Sequence, residues 1–430
     1  MNSAESERVG QAREAARAFA LARLKPEAAA WDEAEAIPIS ALAEAGRLGF
    51  FGLLVPQEYG GLDLDPLSYV AAMEELASGN AAFQGCVSIH NSLVCTAVQR
   101  FGTPEQKQRY LPRLASGEWI GAYSLSEPGA GSDAGGIAAS AVVDGDSLVV
   151  NGTKCWVSNG GLAALFVVFV STNRASASRG ISCLLVDKGA AGFTVGRRER
   201  KMGLRASDTR ELVFKDCRLP RSSLLGSLHG GFKIAMSLLD GGRVGIGAQS
   251  VGIARAAFEE AVAYAKARKQ FGRPIAEFQL ISAKIADMAC GIDAARLLVQ
   301  RAAGLLARGA KCTREASMAK LFASSAANRV VSDALQIHGG NGFVRGFPVE
   351  RYFRDARATE IYEGTSEIQR LIIAREVLRG AASGRRACRG GHWAAFADRL
   401  RASRDCVWST SPNYCPGRTP PKSWLIWAAA

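Results

Sequence analysis

The chain has 430 residues, of which 48% are apolar and 22% charged, the balance of an ordinary globular protein. That composition excludes a disordered, collagen-like or small disulfide-stapled chain. At roughly 100–200 residues per domain, the length implies two to four domains. No run approaches the ~18 apolar residues of a membrane-spanning helix. The net charge is +13 and unevenly placed: from Ser383 onward eight Lys/Arg face two Asp. The remaining +7 reads as a solvated basic surface that also suits anionic substrates, and nucleic-acid binding is the less favoured reading. Ten cysteines form no C-x-x-C pair and only four histidines are present. This fits free thiols in a reducing compartment, with no disulfide framework and no metal site. The first 25 residues hold Glu5, Glu7 and Glu14 and no apolar segment, which argues against a secretory signal or a transit peptide.

Residues 1–118 read as a helical domain. Apolar residues recur at helical spacing over Asp65 to Ser78 and Pro104 to Ala115. Asp65 and Thr103, each followed by Pro, have the form of helix starts. From 119 to 228 the pattern changes to short β-branched runs separated by Asp-Gly and Asn-Gly pairs, which predicts an antiparallel, barrel-like β-domain. Residues 229–382 return to long helical patterns, Ile246 to Arg268, Leu280 to Arg308 and Met318 to Ile337, which predict a helical bundle. Residues 383–430 carry four of the seven tryptophans with three cysteines and no sustained period. They read as an irregular or disordered tail.

The segment Gly129 to Ala134 matches G-x-G-x-x-A on paper, but a dinucleotide fingerprint needs a strand before it and a helix after it. Here a hairpin pattern follows, so the segment reads as a loop. Its glycines permit close backbone approach to a ligand.

That loop is one of six separated segments. In order these are YSLSEPGAGSDAGG (123–136), NGTKCWVSNG (151–160), KMGLRASDTRELVFKDCRLP (201–220), GFKIAMSLLDGGRVGIGAQ (231–249), RKQFGRPIAEFQ (268–279) and the run from QIHGGNGF to RLIIAR (336–375). Together they resemble the acyl-CoA dehydrogenase flavoproteins, most closely the short-chain (butyryl-CoA) members, over about residues 10–380. The resemblance implies an α+β fold: an N-terminal helical domain, a middle β-domain and a C-terminal four-helix bundle. It also implies FAD-dependent α,β-dehydrogenation of an acyl-CoA in fatty-acid β-oxidation, with electrons passed to an electron-transfer flavoprotein. The location implied is the cytoplasm of a bacterium or a mitochondrial matrix.

Such chemistry needs a carboxylate base of raised pKa in a dry pocket and hydrogen bonds to the thioester oxygen as charge develops there. The resemblance assigns the base to Glu363, with Gly364 passing close to the thioester. On its residues alone, Glu363 reads first as a capping acid just ahead of a helix beginning at Thr365. Some relatives carry the base on an earlier helix, at the position that is Gly242 here, which has no side chain to serve. Asp240 and Arg243 match CoA-side contacts, although Asp240 alone would read as a helix N-cap. Ser132 matches a residue near the thioester and pantetheine arm.

For the flavin, Tyr123, Leu125, Ser126, Trp156 and Ser158 match contacts to the ring. Arg268, Gln270, Phe271 and Gln279 match pyrophosphate and adenosine contacts made from a neighbouring subunit. Gln336, Gly339 and Gly340 match a loop on the same FAD, and Thr365 and Glu367 match further contacts at a helix N-terminus. A shared FAD implies a homo-oligomer, usually a tetramer. Ser126 and Ser158 stand where Thr is more frequent, and Ser124 where Ala or Gly is; no group the chemistry needs is lost. An acyl-CoA oxidase using O2, and a non-catalytic flavoprotein binding nucleic acid, remain as alternatives on sequence alone.

Overall fold

The computed structural model describes residues 3–387. Contacts divide the chain into a unit over 1–376 and a second over 377–430. Of the second unit only the last turns of a helix ending at Ala387 are described, so most of the tail lies outside the described residues.

Seven helices come first: α1 (Ser3–Phe19), α2 (Lys25–Ala34), α3 (Ile39–Arg47), α4 (Pro66–Gly79), α5 (Ala81–Ser88), α6 (Thr96–Phe101) and α7 (Pro104–Ala115). Asp65 caps α4 by accepting from the N–H groups of Leu67 at 2.9 Å and Ser68 at 3.1 Å. Thr103 and Gln106 form a reciprocal capping box on α7, which satisfies two otherwise orphaned donors.

The middle of the chain forms β1 (Ile120–Ser124), β2 (Ser140–Asp144), β3 (Ser147–Ser158), β4 (Ala163–Ser171), β5 (Ile181–Asp187), β6 (Phe193–Arg198), β7 (Thr209–Pro220) and β8 (Leu224–Leu225). The sheet order is β6-β7-β3-β2-β4-β5-β8, with β1 beside β4. The sheet is mixed: β1 runs parallel to β4, and Ser140 of β2 meets Ser171 of β4 in parallel. β4 explains its own apolar run. Leu165, Val167 and Phe169 face a core shared with the N-terminal helices, while Phe166, Val168 and Val170 face the β-domain interior. A strand buried on both faces loses the usual alternation.

Two glycine pairs behave differently from one another. Asp144-Gly145 turns the β2–β3 hairpin as expected, with Gly145 at φ +55°. Asn151-Gly152, expected as a turn, lies inside β3 at a bulge opposite β7. Gly152 is needed there because a Cβ would stand 2.6 Å from Ala139 Cα.

The last third forms α8 (Gly231–Ala267), the hairpin β9 (Lys269–Gln270) and β10 (Arg273–Pro274), α9 (Gln279–Ala307), α10 (Thr313–His338), the single turn α11 (Gly340–Phe343), α12 (Val349–Ala358) and α13 (Ser366–Ala387). α8 begins fifteen residues before the predicted start at Ile246 and runs unbroken through Gly241-Gly242. Asp240 is therefore mid-helix, and the N-cap reading of it is wrong. α8 packs against α4, α9 and α10. No described helix is long and apolar enough to cross a membrane.

Candidate active site

The chain turns between α12 and α13 through Glu363 (φ +52°) and Gly364 (φ +94°). Glycine adopts that region freely, whereas for Glu363 it costs on the order of 1–3 kcal/mol and persists only where the surroundings impose it. Three donors do so. Lys320 Nζ donates to Gly364 O at 2.8 Å, and Gln369 Nε2 donates to Gly364 O at 2.9 Å and to Glu363 O at 3.2 Å. Thr365, not Glu363, starts the next helix: its hydroxyl accepts from Ile368 N and its carbonyl from Gln369 N. The helix-capping reading of Glu363 is thereby overturned, and the side chain turns the other way, onto α8.

There the carboxylate lies over Gly242. A Cβ built on Gly242 would overlap Oε2 and stand 2.9 Å from Cδ. Oε2 is buried and has no hydrogen-bond partner. Burial pushes the Glu363 carboxyl up to about 7, against the opposing pull of Lys320 and Arg243. This combination of burial and nearby cations is the environment of a tuned acid–base group.

Around it, Arg243 is buried and donates from Nη1 to Asp240 Oδ1 at 2.9 Å, while Thr313 donates to Asp240 Oδ2 at 2.7 Å. Tyr69 donates to Ser88 Oγ at 3.2 Å beside Gly245, and Tyr362 donates to Gln249 Oε1. Ser132 is exposed in the loop after β1.

A second group of residues gathers where β1 and β3 end. The hydroxyls of Tyr123 and Ser124 are buried without partners. Leu125 and Ser126 follow, half-buried. Lys154 is fully buried and donates to Glu127 Oε1 at 2.7 Å and to Leu125 O at 3.1 Å. Glu127 also accepts from the N–H groups of Ala138 and Ala139, and Cys155 N donates to Ser126 O at 3.0 Å. The adjoining bulge of β3 holds Trp156 at φ +56° and leaves its indole 60% exposed. Ser158 ends the strand, and Asn159 Nδ2 fastens it to Cys86 O and Gly121 O, both at 3.1 Å. An exposed indole, half-buried serines and an orphaned phenol hydroxyl fit the flat, hydrogen-bonding ring of a flavin.

The remaining candidates lie elsewhere. Arg268, Gln270, Phe271 and Gln279 are exposed, and Phe271 is 94% exposed at the tip of the β9–β10 hairpin. Arg243 and Ala267 are 24 residues apart on α8, so the hairpin sits about 36 Å along the helix from the Arg243–Glu363 cluster at 1.5 Å per residue. Gln336, Gly339 and Gly340, also exposed, close α10 at that same end, where Tyr264 of α8 stacks on His338 at 4.2 Å and accepts from Asn341 at 3.0 Å. Thr365 is half-buried and Glu367 exposed at the start of α13. The chain thus separates its candidates into a cluster at Glu363 and a surface group at one end of the bundle.

Lys320, Gln369, Tyr69 and the Lys154–Glu127 pair escape a reading of the sequence. Lys320 lies among Ala and Ser on α10, where only burial distinguishes a structural lysine from a solvated one.

Three family models cover nearly all of the described chain: the acyl-CoA dehydrogenase N-terminal domain over residues 6–118, the middle domain over 122–217 and the C-terminal domain over 229–378. This chain belongs to the acyl-CoA dehydrogenase family. The bovine mitochondrial short-chain specific acyl-CoA dehydrogenase is 48% identical over 367 residues, 85% of this chain and 89% of its own. Butyryl-CoA dehydrogenase from Megasphaera elsdenii superposes with a TM-score of 0.85 at 40% identity, covering 88% of this chain and 99% of that one. A glutaryl-CoA dehydrogenase from Mycobacterium smegmatis in complex with FADH2 superposes at 0.82 with 32% identity, covering 88% and 95%. An acyl-CoA dehydrogenase of this family depends on FAD, and the residues at the ends of β1 and β3 have the chemistry to hold its ring.

Proposed function

We propose that the chain removes hydrogen across Cα–Cβ of short-chain acyl-CoA thioesters, giving trans-2-enoyl-CoA, with Glu363 as the base. The buried, unpartnered Oε2 over Gly242 carries this reading. A carboxylate with no hydrogen bond to satisfy it is a stronger base than a solvated one, and burial keeps water from competing for the substrate proton.

Each residue then has a role. Glu363 takes the α-proton on Oε2. The N–H of Glu363 donates to no group of the described chain and is directed by the left-handed turn; it would receive the thioester oxygen as negative charge develops. Gly364 lets substrate approach the backbone. Asp240, Arg243 and Ser132 would contact the CoA portion. Tyr123, Leu125, Ser126, Trp156 and Ser158 would hold the ring of FAD, which when bound supplies the acceptor for the hydride leaving Cβ. Thr365 and Glu367 would meet another part of FAD at the positive end of α13.

The exposed group Arg268, Gln270, Phe271, Gln279, Gln336, Gly339 and Gly340 would hold the nucleotide portion of a neighbouring subunit's FAD, which makes the working form a homo-oligomer, a tetramer in this reading. The separation of about 36 Å along α8 supports this. Electrons would leave to an electron-transfer flavoprotein.

The test is anaerobic bleaching of bound FAD by acyl-CoAs of C4 to C16 and branched chains. Butyryl-CoA is expected to bleach the wild type, and Glu363→Gln to hold FAD without bleaching. A Glu363→Gln protein that still oxidises butyryl-CoA would remove Glu363 from the role of base.

A further inference from the structure

The reading of Glu363 as base leaves one buried cation unexplained. Lys320, eight residues into α10, has no exposed surface. Its ammonium has no carboxylate within ion-pairing distance among the described residues, and its hydrogen bond goes to a neutral backbone carbonyl, Gly364 O. A buried ammonium without a counter-ion is costly, so its placement against the residue following the base is a pointed one. We propose that Lys320 is the positioning residue of this active site: by holding Gly364 O it fixes the left-handed turn that directs the Glu363 carboxylate over Gly242, and its charge offsets part of the cost of ionising that carboxylate in a dry pocket. This deepens the function proposed above and rests on it.

Two features support the assignment. First, the carbonyl Lys320 holds is that of Gly364, the second of two consecutive residues of positive φ, Glu363 and Gly364. Without it, Gln369 Nε2 would be the one side chain among the described residues left holding the carbonyls of that turn, beside the backbone bond from Ser366 N to Glu360 O. Second, the charges around the carboxylate leave Lys320 a large share of the compensation. The cations acting on Glu363 are Lys320 from α10 and Arg243 from α8, and Arg243 is already paired with Asp240. The other ionisable groups nearby are Tyr69 of α4, Tyr123 of β1, Tyr362, and Glu360 and Glu367 on either side of the turn. The three phenols are held neutral by burial, and the two acids add negative charge that Lys320 faces together with Glu363. Burial lowers the Lys320 ammonium to about 8, so it stays charged at neutral pH.

The test compares Lys320→Met, which removes donor and charge, with Lys320→Gln, which restores a donor without charge. FAD content and thermal midpoint of each holoenzyme establish that it folds. The pH dependence of flavin reduction by butyryl-CoA is then measured, and the carboxyl band of Glu363, identified by its loss in Glu363→Gln, is titrated by infrared difference spectroscopy. In both variants the acid limb and the infrared titration should move up by about one pH unit, a roughly tenfold loss of ionised base below the midpoint. At high pH, Lys320→Gln should recover more of the rate than Lys320→Met, because it can still hold Gly364 O. If Lys320→Met does not accumulate, Lys320→Gln carries the pH test alone. An unmoved titration in a folded, FAD-loaded variant overturns the proposal. Its failure is distinct from that of the proposed function: if Glu363→Gln itself still reduces FAD, the base is misassigned, whereas if only the Lys320 variants match the wild type, Glu363 stands and Lys320 is structural.

Discussion

The Glu363 carboxylate occupies the volume that a side chain at position 242 would need. One of its oxygens would overlap a Cβ built on Gly242. The pairing explains why α8 carries Gly242 in mid-helix despite the usual penalty of about 1 kcal/mol for a glycine there; nothing lies within 4 Å of a Cβ at Gly241.

Gly242→Ala should lower kcat/KM for butyryl-CoA by about 100-fold, the scale expected for a reacting group displaced by about 1 Å. FAD should stay bound, because no flavin-side residue is touched. Steady-state kinetics beside the visible spectrum measure this. Wild-type turnover in the alanine variant would show that the carboxylate works from another position.

Glu363 also sets a pH dependence with a definite sign. Its folded carboxyl titrates at about 7 against an ordinary 4.5, so the folded state holds this proton more tightly than the unfolded chain. That relative stabilisation is complete below about pH 4.5 and is lost as pH rises through 7. Glu363→Gln should therefore melt higher than the wild type at pH 8, with the gap closing towards pH 4.5, while butyryl-CoA oxidation is lost. Scanning calorimetry across that range checks it, and a gap that widens on acidification contradicts the assigned environment.

Lys154→Met should destabilise the protein by about 3–5 kcal/mol, because it strands Glu127 as an uncompensated buried charge. The double variant Lys154→Met with Glu127→Gln should recover part of that loss. Lys154 also holds Leu125 O, so FAD content should fall in Lys154→Met even where the protein remains folded. Denaturant unfolding and the flavin-to-protein absorbance ratio give the two readouts.

Phe271 is 94% exposed on a hairpin tip, at a left-handed φ of +51° with Gly272 at +80°. A large apolar side chain presented to water at a hairpin tip suits an interface. Phe271→Ser should reduce both the molar mass by light scattering and the FAD content, with secondary structure unchanged by circular dichroism. Unaltered mass and FAD content would remove this hairpin from a shared cofactor site.

Much of the fold was legible in local pattern. Asp65-Pro66 and Thr103-Pro104 start helices because capping and a preset φ act over three or four residues, and Asp144-Gly145 turns a hairpin for the same reason. Two glycine pairs were misleading. Asn151-Gly152 looks like a turn but sits in a bulge where Ala139 presses on the backbone, and Gly241-Gly242 lies ahead of the helix expected from Ile246, yet α8 runs through it and Gly242 admits Glu363. In each case the deciding neighbour lies at a distance in sequence, or on another element, that no local pattern reports.

The sequence by itself determined the family, the types of element and their order, and which carboxylate could serve as a base. Local hydrogen bonding and periodicity are enough for the elements, while the family and the candidate base follow from the resemblance of six separated motifs. Only the tertiary structure decided that Glu363 turns away from the helix it precedes, that its carboxylate is buried against α8, and that Lys320 holds the turn from behind. Burial and charge compensation are properties of the packed interior: Lys320 and Glu363 are 43 residues apart along the chain, and their free energies become coupled only once water has been excluded from the space between α8, α10 and the turn before α13.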